Sequence, residues 1–274
     1  LFDEVWGAAF VAHPYHHPTI GWRSDIEDMT AEDLRSFYDT YYWPNNATLS
    51  IVGQFDRRET LEEVADQFGR LDAANHEIPQ VTTDEPEQTG QRRVTVKQDG
   101  QLGALLMGYK SPPATNPDSD ALDVLARILA SGKGSRLFRR CTDRGLTSDV
   151  FGVNFRLRDP SLFSVFAYLA PETEHEEVEE AIRDEIESIR AEGVTQEELD
   201  RARTQLRAQT AFDRDGSMRV ASQLNEALAA GDWKLYTQYL DRLAEVTIDD
   251  VQRVAQIYLQ DDTSTIGWYV PTDQ

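Results

Sequence analysis

Residues 30–53, TAEDLRSFYDTYYWPNNATLSIVG, decide how this chain is read, because residues 247–270, TIDDVQRVAQIYLQDDTSTIGWYV, repeat their pattern. Each stretch opens on a Thr followed three residues later by Asp, the arrangement of a capping box. Leu34, Phe37, Tyr38 and Tyr41 then recur at helical spacing, as do Val251, Val254 and Tyr258. Pro44-Asn45-Asn46 ends the first helix and Asp261-Asp262 the second. Alternation at Ala47, Leu49 and Ile51 predicts a strand closed by Gly53, and Thr263 to Val270 predicts its counterpart. The pairs Thr30/Thr247, Asp33/Asp250, Leu34/Val251, Phe37/Val254 and Tyr41/Tyr258 share one offset, 217 (247 − 30), and a one-residue gap aligns the strands.

A repeat at this distance implies two homologous lobes. If the second copy starts near Arg92, the first starts about 125 residues (217 − 92) before Leu1. The expected plan is therefore 1–70 as the C-terminal part of a first lobe, 71–91 as a linker, and 92–274 as a complete second lobe. The linker reading rests on Pro79, Asp84-Glu85-Pro86-Glu87 and Gly90 with few apolar anchors between them. The opening Leu1-Phe2-Asp3 carries no Met, basic region or apolar signal core, which reads as a mature or trimmed product.

Within 57–70, Leu61, Val64 and Phe68 predict one helix face. Beyond the linker, strands are expected through Val94 and Val96, then from Leu102 to Tyr109. A helix is expected through Leu122, Leu125, Ile128 and Leu129, and a short one ending near Cys141. Strands follow at Phe151–Leu157 and Ser161–Ala170, joined by the turn Arg158-Asp159-Pro160. Three helical stripes come next: Val178, Ile182, Ile186 and Ile189; Leu199, Ala202 and Leu206; Met218, Ala221, Leu224 and Leu228. Tyr236 to Leu243 predicts a fourth helix.

Composition excludes several classes. A formal net charge of −22 repels phosphate backbones, so no nucleic-acid partner is expected. No run of 18 apolar residues exists, so no membrane span is expected. The single Cys141 allows no internal disulfide and reads as a core thiol rather than a nucleophile. His13, His16 and His17 are the densest imidazole cluster. Pro14 and Pro18 deny them the helix that a two-His zinc motif needs, and no Glu lies among them. They read instead as a loop packing aromatic faces near Trp22. His76 and His175 read as isolated and exposed. Gly132-Lys133-Gly134-Ser135 lacks the first Gly of a phosphate loop, and Gly134 parts Lys133 from Ser135, so it reads as a connection between helices. Asn46-Ala47-Thr48 is a formal glycosylation sequon better explained as a strand start, and Glu172 to Glu180 as a solvated helix N-terminus.

The residues also carry a family resemblance. His13-Pro14-Tyr15 through Pro18-Thr19-Ile20-Gly21-Trp22, then Tyr41-Tyr42-Trp43-Pro44-Asn45-Asn46-Ala47-Thr48-Leu49 with Val52-Gly53 and Phe55-Asp56, resemble the insulinase/pitrilysin zinc peptidases. Ser135-Arg136-Leu137-Phe138 and Arg144-Gly145-Leu146 resemble the family's second lobe. The resemblance covers essentially the whole chain. It implies an α+β fold: a tandem repeat of insulinase-type lobes, each an antiparallel-rich sheet with helices packed on one face, the first lobe truncated. It also implies zinc in a full-length protein, held by an H-x-x-E-H motif upstream of this segment. No such motif occurs here, so no metal ligand, cofactor or catalytic residue is assigned to this chain. Active second lobes offer Arg and Tyr near the scissile bond in a pattern like R-x-x-x-G-L-x-Y. Those positions fall on Cys141 and Ser148. Arg139 and Arg140 are the candidate substitutes for the Arg, while Ser148 lacks a phenol.

Peptide docking by strand addition points to the edge carrying Phe151, Val153 and Phe155. The expected partners are a peptide or unfolded polypeptide, and a second copy or a family homologue in a homodimer or heterodimer. The function expected is the second lobe of a metallopeptidase chamber, inactive and zinc-free by itself. The alternative is a non-catalytic member docking for an active homologue. A bacterial periplasm or cytoplasm is the expected location.

Overall fold

The structure is a computed structural model that describes residues 1–272. Its centre is a five-stranded sheet of β1 (Arg92–Asp99), β2 (Ala104–Ser111), β3 (Thr147–Asn154), β4 (Ser161–Leu169) and β5 (Ser264–Thr272). The spatial order is β1-β5-β2-β4-β3. All neighbours pair antiparallel except β1 with β5, which run parallel.

Period-two patterning gives the sheet two different faces. Leu105, Met107 and Tyr109 on β2 and Phe163, Val165 and Ala167 on β4 are buried on one face. Against them pack α5 (Asp118–Ala130), α6 (His175–Glu192), α7 (Gln196–Asp213) and α11 (Ile248–Tyr258). These helices bring the stripes Leu122/Leu125/Leu129, Val178/Ile182/Ile186/Ile189, Leu199/Ala202/Leu206 and Val251/Val254, all buried. On the opposite face α1 (Phe2–Ala9) lies across the sheet, burying Val5, Trp6 and Ala9. Its close approach depends on Gly267, where a Cβ would stand 2.3 Å from Val5 Cγ2.

Ahead of the sheet come α2 (Arg23–Asp28), α3 (Ala31–Tyr41) and α4 (Arg57–Phe68), none of which has a buried residue. The repeat is visible in detail. Thr30 and Thr247 each accept the amide of the Asp three residues on, and each Asp returns a bond to the Thr amide. Both helices run for 11 residues.

Several expectations need correction. Ala47, Leu49 and Ile51 form no strand, because no described residue pairs alongside them and extended backbone becomes a strand only with a ladder partner. Asn46 is consequently not a strand start; it lies in a 3₁₀ turn, Pro44–Asn46, and its Nδ2 donates to the Tyr41 carbonyl. The strand expected at 151–157 is β3, which begins at Thr147 and ends at Asn154, after which Phe155 and Leu157 turn toward α1. The Met218 stripe does form a helix, α8 (Ser217–Ala229), but only Ala227 of it is buried. The fourth helix is two short ones, α9 (Lys234–Thr237) and α10 (Tyr239–Glu245), parted at Gln238. The acidic run is not wholly solvated: Glu179 is buried, ion-paired with Arg93 and Arg183, and accepts Trp268 Nε1 at 3.0 Å. His175 is half-buried, stacked on Trp268 and bonded to the Tyr269 carbonyl.

Candidate functional site

β3 ends the sheet, so its outer edge offers amides and carbonyls with no strand partner among the described residues. Its odd positions face away from the main helix layer. Gly152 meets α5, where a Cβ would lie 3.1 Å from Ala130 Cβ, so Phe151 and Val153 point to the other face. There Phe151 stacks on Phe166 with centroids 4.8 Å apart and planes 9° from parallel. Phe166 continues to Phe2, and Phe2 and Trp6 both meet the edge of Phe155. The result is an aromatic row beside an unpaired edge, with Phe2, Phe151 and Tyr168 exposed. Aromatic pairs of this kind hold each other in place and present broad apolar surface.

Phe151, Val153 and Phe155 are thus brought together on one face. Ser148 lies at the start of that strand, in a register shift between Thr147 and Asp149, and its Oγ donates to the Tyr168 carbonyl at 3.3 Å. Arg139 and Arg140 are not part of this group. They lie on the π-helical segment Phe138–Thr142, where Arg140 pairs with Asp184 at 2.5 Å and Glu185 at 3.6 Å on α6. Arg139 Nε donates to the Ser135 carbonyl. Cys141, next on that segment, is fully buried, and burial pushes its thiol up to about 11, the opposite of an activated nucleophile. Gly132 to Ser135 connects α5 to this segment, as its spacing implied.

The histidines pack on aromatics, but not on Trp22. His13 sits 4.3 Å from the Tyr15 ring and 6.1 Å from Phe10, and His16 lies against His17. Among the described residues no three His, Cys, Asp or Glu side chains converge as a metal ion requires.

Two arrangements escaped the sequence reading. On α5, Asp120 and Asp123 bind Arg156 at 2.8 and 2.7 Å, Asp120 also binds Arg242 at 2.8 Å, and Asp123 accepts Tyr239 Oη at 3.0 Å. The signal was Asp120 and Asp123 set among the apolar positions Ala121, Leu122, Val124 and Leu125 of α5. The other is Glu85, whose carboxylate accepts the amides of Val11, Ala12 and His13 at 2.9–3.1 Å and lies 3.7 Å from Lys110 Nζ. Burial pushes the Glu85 carboxyl up, yet the three amides and Lys110 outweigh it and hold it below the usual range. Nothing local in the run Asp84-Glu85-Pro86-Glu87 announced that Glu85 would clamp residues seventy positions away.

Comparisons with known proteins agree with this architecture. Residues 28–206 match the family described as the peptidase M16 inactive domain. The chain is 31% identical to the zinc protease PqqE of Helicobacter pylori, over 99% of this chain and 62% of that protein. It is 26% identical to a probable mitochondrial-processing peptidase subunit beta of Arabidopsis thaliana, over 97% of this chain and 52% of that one. A crystal structure of a protease from Helicobacter pylori superposes with a TM-score of 0.93 at 31% identity, covering 99% of this chain and 66% of that chain. The chain belongs to the peptidase M16 inactive-domain family, the C-terminal portion of insulinase-type proteins. It spans about half to two thirds of the length of these relatives. Among the described residues no helix is long and apolar enough to cross a membrane.

Proposed function

We propose that this chain supplies the zinc-free side of an insulinase-type peptidase chamber. Residues 92–274 act as a complete second lobe, 71–91 as a linker, and 1–70 as the end of a first lobe whose upstream remainder holds zinc in the whole protein. An extended peptide lies along β3, its backbone pairing with the free edge and its side chains resting on Phe151, Val153 and Phe155. The observation that carries this reading is the opposite burial of two equivalent helices: α11 is seated in a lobe, while α3 keeps its apolar face open. Metal analysis of the purified chain after equilibration with zinc, beside a casein-cleavage assay, tests it. The expected result is substoichiometric zinc and no cleavage. One tightly held zinc per chain, or proteolysis by the chain alone, overturns it.

A second reading, a non-catalytic subunit that docks substrate for an active homologue, is favoured by Cys141 and Ser148. A thiol sealed in the core and a short hydroxyl tied to Tyr168 stand where the resemblance implies Arg and Tyr, and Arg140 is engaged by α6. The coding sequence upstream discriminates: an intact H-x-x-E-H supports the enzyme, a degraded one the subunit.

A further inference from the structure

Beside the π-helical segment Phe138–Thr142 opens a cleft of about 370 Å³ lined by charged side chains. Arg136, Arg139, Arg140 and Arg144 form most of it, with Glu185 of α6 and Glu198 of α7. Four guanidinium groups against two carboxylates give the wall a net charge of +2, on a chain whose formal net charge is −22. A cleft lined by an excess of one sign focuses its field and draws a counter-ion.

Two of the arginines are committed. Arg136 donates to Glu198 through Nε at 2.8 Å and Nη2 at 3.0 Å, and also to Ser188 Oγ and the Gly193 carbonyl. Arg140 pairs with Asp184 at 2.5 Å and Glu185 at 3.6 Å. These bonds hold two sides of the cleft in place and engage both of its carboxylates. The other two arginines, Arg139 and Arg144, are exposed, and neither has a carboxylate partner among the described residues. Arg139 is tied only through Nε, 3.4 Å from the Ser135 carbonyl, so its Nη groups donate to no described residue. Arg144 makes no side-chain hydrogen bond among the described residues, yet its backbone is fixed. The next residue, Gly145, has φ +78°, and the Gly145 and Leu146 amides close turns onto the Thr142 and Cys141 carbonyls.

A guanidinium fork makes two parallel bonds to neighbouring oxygens of an anion. Two free forks in one cleft therefore suit a ligand with more oxygens than a carboxylate has. A phosphate group offers about three acceptor oxygens and a charge near −2, which matches the wall. A carboxylate, with two oxygens and a single charge, leaves one fork and half of the wall's charge unmet. The acidity of the whole chain disfavours a long polyanion, so the ligand is small.

We propose that this cleft binds a phosphate dianion through Arg139 and Arg144, as inorganic phosphate or as the terminal phosphate of a small ester. Its walls belong to α6 and α7 in the helix layer, whereas Phe151 and Val153 face away from that layer. The site therefore does not depend on the peptide wall proposed above.

Isothermal titration of the full chain at about pH 8 and constant low ionic strength, with inorganic phosphate, glycerol 3-phosphate and acetate, tests this. One saturable site for phosphate is expected, with Kd at or below about 1 mM, and acetate at least about tenfold weaker. Saturation by glycerol 3-phosphate as well assigns the ester, and saturation by phosphate alone assigns the free ion. Arg139→Gln combined with Arg144→Gln should weaken phosphate at least about tenfold. Arg35→Gln, which removes the same charge from exposed α3, should leave it unchanged. If the double variant does not fold, amide exchange in the unaltered chain decides, with residues 138–146 slowing on phosphate addition. No saturable heat up to about 10 mM phosphate, acetate bound as tightly, an equal loss in Arg35→Gln, or unchanged exchange at 138–146 overturns the proposal.

Discussion

Leu34 and Val251 occupy the same position in two helices that start with the same capping box, yet Leu34 is 58% exposed and Val251 is 0% exposed. The local sequence wrote both helices alike. Only the second has a sheet and neighbouring helices on which to lay its apolar face, and Phe37 against Val254 repeats the contrast.

This asymmetry predicts unequal responses to the same kind of mutation. Val254→Ala in the buried copy should cost about 2 kcal/mol in urea unfolding. Phe37→Ser in the exposed copy should change stability by less than about 0.5 kcal/mol. It should also lower self-association in sedimentation experiments, because α3 and α4 expose Leu34, Phe37, Tyr38, Leu61 and Phe68. Equal destabilisation at both sites would contradict the packing described.

Gly267 predicts a clash that can be relieved. A Cβ there would lie 2.3 Å from Val5 Cγ2 and 2.8 Å from Leu1 Cδ1. Gly267→Ala should therefore destabilise by about 1–3 kcal/mol. Adding Val5→Ala should recover part of the loss, which a double-mutant cycle reads as a favourable coupling between α1 and β5.

The ion pair of Arg136 with Glu198, 2.8 Å apart and half-enclosed by Ser188 and Gly193, predicts a pH dependence. Burial raises the Glu198 carboxyl, but Arg136 and the Thr195 cap bring it down to about 2. Its folded value is thus below the unfolded one, so the unfolded chain takes up the proton first. The contribution is fully present above about pH 5 and is lost as pH falls toward 2, on the order of 2 kcal/mol. Urea midpoints measured from pH 6 to 2 should show this loss, and Glu198→Gln should flatten that part of the profile.

Asp120 is the hub whose removal should do most harm. It is 3% exposed and holds both Arg156 and Arg242. Asp120→Ala would leave two guanidinium groups short of a counter-charge, and about 3–5 kcal/mol of destabilisation is expected in thermal or urea unfolding. A change below about 1 kcal/mol would mean that the network is solvated in solution.

The sheet and its helix layer were legible because their signals are local. Alternation at Val94 and Val96 marked β1, and three- and four-residue spacing marked α5, α6 and α7. What misled was also local: Ala47, Leu49 and Ile51 alternate like a strand but have no described partner, and Met218 belongs to a stripe that packs on little. The candidate site was half legible. Phe151 and Val153 fell on one face because strand periodicity requires it, and Phe155, just past the strand end, reaches the same side through α1. Arg139 and Arg140 fell elsewhere because they lie on a π-helical segment, where Arg140 pairs with Asp184 and Glu185 on α6 and Arg139 bonds back to Ser135. The Glu85 clamp on His13 and the Gln88 bond to Ser264 depend on contacts across more than seventy residues. No spacing rule reports such contacts.

The central claim is that the chain holds one seated lobe together with a helix-and-turn piece of another. Amide hydrogen exchange at residues 34–41 and 251–258 of the same chain tests it most directly, since the two segments share length, cap and pattern. The account predicts strong protection at 251–258, approaching that of global unfolding, and protection at least about a hundredfold weaker at 34–41. Equal, strong protection in both helices would contradict it.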